Sequence, residues 1–124
     1  MFEKNIVPFF ILASIVLILD SVYLTLAKNT YNTLVKKVQG ADISLSLLPT
    51  LFDYFLIIFS IYYFIILKNG SIKDAMILGF CIYGIFDLTN MAIFNKYRGT
   101  IVYVDMIWGA ILYGTSSYIL KTFF

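Results

Sequence analysis

Histidine is absent from the chain, and its single cysteine, Cys81, is set in an apolar run. The first absence removes His-ligated metal sites, Ser–His nucleophile pairs and imidazole proton shuttles. The second removes intrachain disulfides and dithiol redox chemistry, and Cys81 reads as a small apolar side chain. Charge is scarce as well: 13% of the 124 residues are Asp, Glu, Lys or Arg, where soluble domains carry about 25%. A net charge of +2, dispersed along the chain, is too small to argue for nucleic acid, and no nucleic-acid partner is expected. Only two prolines occur, Pro8 and Pro49, and both fall in the first turn of an apolar run, where a missing N–H does little harm. What fills the sequence instead is hydrocarbon: 61% of residues are hydrophobic and the mean hydropathy is +0.92. A soluble core of this length could not hide so many Ile, Leu, Phe and Tyr side chains, so the solvent is lipid.

Four apolar runs are long enough to cross a bilayer as helices, at about 6–27, 47–67, 75–94 and 101–120. The first would span about 33 Å. It is too long for a signal-peptide core and contains Asp20, so a retained span is expected. Lys68–Ser71 reads as a turn, with Ser71 or Asp74 capping the third helix. Asn95–Thr100 is a polar turn too short for anything but antiparallel neighbours. Within the one long connection, residues 28–46, the side chains Tyr31, Leu34, Val35 and Val38 recur at helical spacing. Lys36 and Lys37 lie opposite, and Gly40 follows as a stop. That pattern predicts a short interfacial helix over 31–39, against the alternative of a loop that continues the first helix for a turn or two. The expectation is an all-α, polytopic membrane protein: one domain over 1–124, an antiparallel bundle of four transmembrane helices. Its partner is the lipid bilayer, no cofactor is expected, and a homo-oligomer or larger membrane complex stays open. Lys4, Lys68, Lys73 and Lys121 fall on one side, Lys28, Lys36, Lys37, Lys96 and Arg98 on the other, so positive charge does not set the orientation. The side holding the first and third connections is called distal below.

Four of the seven acidic residues lie inside the runs: Asp20, Asp53, Asp87 and Asp105. Counted from the distal ends, all four sit about 6–11 Å deep. A mid-span carboxylate costs ~2.5–3.5 kcal/mol on insertion scales, so each needs a partner or a purpose. Helical spacing supplies companions. Asn90 is i+3 from Asp87, with Thr89 close by, and Ser21 and Tyr23 accompany Asp20. Trp108 and Gly109 are i+3 and i+4 from Asp105, so an indole N–H can reach a carboxylate and a glycine can admit a neighbouring helix. Ala75 with Gly79, and Ala110 with Gly114, form small-x-x-x-small pairs that would clamp the proximal half. Asp87, Asn90, Asp105 and Trp108 are expected to face the bundle interior, with Asp20 joining them. Two unscreened carboxylates at low dielectric cannot both stay ionised without a cation. Arg98 is the one candidate for a permanent counter-ion, and it must fold back from its turn to serve. Two functions fit: binding or translocation of a proton, cation or small cationic solute, or a non-catalytic layer that fixes helix packing. Aspartate alone offers little beyond Mg²⁺-type chemistry, so no catalytic residue and no defined metal site is assigned.

These residues carry a resemblance. Leu19-Asp20-Ser21-Val22-Tyr23-Leu24, Tyr31 with Leu34, Asp87-Leu88-Thr89-Asn90 and Asp105-x-x-Trp108-Gly109 together resemble a family of small four-span membrane proteins of unknown function. Its members occur in bacteria, some eukaryotes and large DNA viruses. The resemblance covers nearly the whole chain and implies Asp20, Asp87, Asn90, Asp105, Trp108 and Gly109 as the signature. It implies no activity. Asp53 matches no signature position and is the weakest member of the acidic layer.

Overall fold

The computed structural model describes residues 6–124, and the polar start Met1–Asn5 lies outside the described residues. Four helices follow in order: α1, Val7–Gln39; α2, Leu47–Ile61, which runs on as a π-helical segment over Tyr62–Leu67; α3, Ile72–Ile93; and α4, Thr100–Phe123. No strand occurs among the described residues.

Residues 31–39 are not a separate interfacial helix; they are the last turns of α1. The reason is local. Lys28, Asn29 and Thr30 end the apolar run, but none of them breaks a helix, and the first glycine after the run is Gly40. There the chain turns left-handed (φ 76°), and the Gly40 N–H closes on the Lys36 carbonyl at 2.8 Å. Polarity therefore stops the apolar run while the helix continues. The connection after it folds back on these turns: Asn32 donates to Asp42 at 3.1 Å and accepts from the Ile43 N–H at 2.8 Å.

Ser71 starts α3 with a capping box. Its hydroxyl accepts from the Asp74 N–H at 3.0 Å, and the Asp74 carboxylate accepts from the Ser71 N–H at 3.1 Å. The π-helical end of α2 turns two successive residues, Ile65 and Ile66, into the core, and Lys68 lies over the Tyr63 ring at 4.8 Å. At the far end of α4 the Lys121 ammonium donates to the Gly70 carbonyl, tying that terminus to the α2–α3 turn.

Among the described residues, three helices are long and apolar enough to cross a membrane: α1, α2 with its π-helical extension, and α3. Their outward faces suit lipid, with Leu26 81%, Phe52 61% and Ile85 67% exposed. The fourth helix is less apolar because it is the most enclosed. It packs against α1, α3 and the π-helical segment, and its Ser116 and Ser117 are wholly buried. Leu12 and Val16 of α1, Ile58 and Ile61 of α2, and Leu112 and Leu120 of α4 share one core.

The tightest packing joins α3 to α4. Gly79 and Gly109 touch backbone to backbone, and a Cβ added to either would overlap the other's carbonyl oxygen. A Cβ on Gly114 would lie 2.6 Å from Met76 Cγ. Ala75 is fully buried, and Ala110 lies beside Gly114 in a shallow outer groove.

Candidate functional site

Three buried carboxylates occupy the interior, one each from α1, α3 and α4: Asp20, Asp87 and Asp105. Each is held by donors from other parts of the chain, and two of those donors are exchanged. Trp108, one turn beyond Asp105 on α4, donates its indole N–H to Asp20 at 3.0 Å. Tyr23, one turn beyond Asp20 on α1, donates its hydroxyl to Asp105 at 3.0 Å. The two rings stack with centroids 4.7 Å apart and planes at 6°. An offset stack of this kind adds about 0.5–1.5 kcal/mol beyond area burial. Each helix thus satisfies its neighbour's acid. Tyr54 of α2 donates to the second oxygen of Asp20, so that carboxylate is fully engaged and joins three helices.

Asp87 is different. Its Oδ1 accepts from the Tyr97 hydroxyl at 2.9 Å. Its Oδ2 is buried and has no donor. The Asp87 side chain interacts with that of Asp105, and two bare carboxylates cannot hydrogen-bond to one another; a proton on either makes that bond available. Tyr97, in the turn between α3 and α4, is buried, and its hydroxyl lies 3.1 Å from that of Tyr31. Burial first, then the hydrogen bond it donates to Asp87, hold the Tyr97 phenol above its ordinary pKa, so it stays protonated. Its one proton goes to Asp87, which leaves Tyr31 as donor to Tyr97. A continuous line of polar contacts therefore runs Tyr31, Tyr97, Asp87, Asp105, Tyr23.

Above this line lies a groove of about 370 Å³ between the last turns of α1 and the α3–α4 corner. Tyr31, Val35 and Val38 form one wall, and Asn90, Phe94 and Tyr97 the other. Asn90 lines this groove, half-buried, one turn from Asp87. Arg98 is exposed, and its backbone carbonyl accepts from the Lys37 ammonium at 3.3 Å. No ion pair joins Arg98 to the acidic layer among the described residues; the donors there are phenols and an indole. Asp53 is exposed on α2 and makes no hydrogen bond to the layer. No three carboxylates converge as metal ligands among the described residues.

Sequence reasoning missed Tyr54 and Tyr97 as donors. With ten tyrosines in the chain, no spacing sets these two apart. Tyr97 sits in a turn, where a buried side chain is not expected. Tyr23 was legible only as a companion of Asp20, its own-helix neighbour.

No curated protein and no solved structure matches the chain. The apolar helices and buried acids belong to a multi-pass integral membrane protein. Over residues 5–121 the chain matches the family model described as a predicted membrane protein, DUF2177, and it belongs to that family.

Proposed function

We propose that the chain is an antiparallel bundle of four spans that takes up and passes on a proton at the Asp87–Asp105 pair. The order of α3–α4 contacts supports the topology: Met76 meets Gly114, Gly79 meets Gly109, and Gly84 meets Met106, so one helix ascends as the other descends. The short turn Phe94–Gly99 agrees. Under this reading α4 is the fourth span, enclosed by the others and so free to carry polar residues.

One observation carries the proton reading. Asp87 Oδ2 is fully buried and lacks a donor, and the Asp87 side chain interacts with a second carboxyl, Asp105. A carboxyl pair in a low-dielectric interior is held together by a proton between its members. The Tyr31–Tyr97 hydroxyls give that proton a hydrogen-bonded line toward the distal surface. Proteoliposomes containing the full chain and an internal pH dye would test it. The expected result is proton uptake driven by an imposed gradient, abolished by Asp87→Asn and by Asp105→Asn. Unchanged flux in both variants, beside a clear wild-type signal, would overturn the reading.

Asp20 supports a different role. Both of its oxygens accept from other helices, one from α2 and one from α4, so it acts as a packing staple rather than an exchange site.

A further inference from the structure

The distal groove has an uncompensated charge at its mouth. Residues 28–46 and 94–100 hold five basic side chains and one acidic one, Asp42. Asp42 is already engaged by Lys36 at 3.8 Å and by Asn32 at 3.1 Å. Lys37 reaches across from α1 to the Arg98 carbonyl, which places two cationic residues together at the rim with no carboxylate partner among the described residues. Below the rim the walls are Val35, Val38 and Phe94, and the half-buried Asn90 amide adds a polar group that makes no hydrogen bond among the described residues. Cations over an apolar slot, at the end of helices that enter lipid, match one amphiphile: an anionic head on a hydrocarbon tail.

We propose that this groove seats an anionic phospholipid of the distal leaflet, with its phosphate on Lys37 and Arg98 and an acyl chain along Val35, Val38 and Phe94. The site stands on the groove and its rim, independently of proton passage at Asp87. A seated chain would cover Tyr31 and Tyr97, the outer members of the hydroxyl line.

The test is native mass spectrometry of the full chain released from nonionic detergent, titrated with phosphatidylglycerol or phosphatidylcholine. Retention of phosphatidylglycerol over phosphatidylcholine is expected. The exposed double variant Lys37→Gln/Arg98→Gln should weaken retention about thirtyfold, at roughly fivefold per basic residue near an anionic head group. Val38→Trp should block the slot and abolish retention while both charges remain, with circular dichroism checking its fold. If that variant does not fold, the charge variant and the lipid comparison decide the matter. Equal binding of the two lipids, or undiminished retention in the double variant, would overturn the proposal. So would full retention by a folded Val38→Trp chain, which would mean loose surface attraction. Displacement of the lipid by glycerol 3-phosphate alone would reduce the site to one for free anions and would also overturn it.

Discussion

Asp20 and Asp87 are both buried aspartates in membrane helices, but their second oxygens meet opposite fates. Asp20 takes a phenol from α2 on one oxygen and an indole from α4 on the other. Asp87 takes a phenol on one oxygen and nothing on the other. A saturated carboxylate resists change, since any new proton or ion must displace a donor already in place. A half-served one is poised to receive. Burial alone does not separate a staple from an exchange site; the count of donors does.

Removing the saturated site should give the largest effect. Asp20→Ala strands the Tyr54 hydroxyl and the Trp108 N–H at once, and should destabilise the protein by about 2–4 kcal/mol. Thermal melts in detergent read this as a lowered Tm, and a wild-type melt would erase the contrast with Asp87. Tyr97→Phe comes next. It removes the phenol donor to Asp87, leaves that buried oxygen unserved and should cost about 1–3 kcal/mol. Tyr31→Phe, one step further out, should cost less than about 1 kcal/mol. Asp87→Asn sharpens the comparison by its sign. The amide keeps an acceptor for Tyr97 and offers Asp105 a donor, so Tm should hold or rise by the equivalent of about 1 kcal/mol, while proton flux is lost. Asp20→Asn should instead lower Tm, because its amide nitrogen cannot accept from either donor. Arg98→Gln should be smallest, within about 0.5 kcal/mol, because the exposed guanidinium supports neither acid. A large loss there would restore Arg98 as a counter-ion.

The helix ends were legible where a residue has a single mechanical meaning. Gly40 stops α1 and Ser71 with Asp74 opens α3, because left-handed backbone and orphan N–H groups each favour few side chains. The family was legible as a resemblance over nearly the whole chain, and the family model spans residues 5–121. The length of α1 was not, because Lys28, Asn29 and Thr30 end the apolar run without ending the hydrogen-bonded helix. Nor could the exchange of Tyr23 and Trp108 be read. Spacing along one helix shows which side chains share a face, while the rotation of that face toward its neighbours is set by packing. Asp20 and Asp105 therefore each showed a local companion whose hydrogen bond goes elsewhere.

The contact between Gly79 and Gly109 has a mechanical consequence. Two backbones that touch at one point, with side chains spreading them elsewhere, form a fulcrum. Asp87 lies eight residues along α3 from that point, a lever arm of about 12 Å. Asp105 lies four residues along α4, an arm of about 6 Å. A relative tilt of about 5° at the fulcrum would move Asp87 by about 1 Å, enough to make or break the hydrogen bond that a shared proton would provide. The glycines thus set the leverage between the carboxyls: a side chain at either position would shift the pivot and change how far apart the pair swings for the same rocking of the helices.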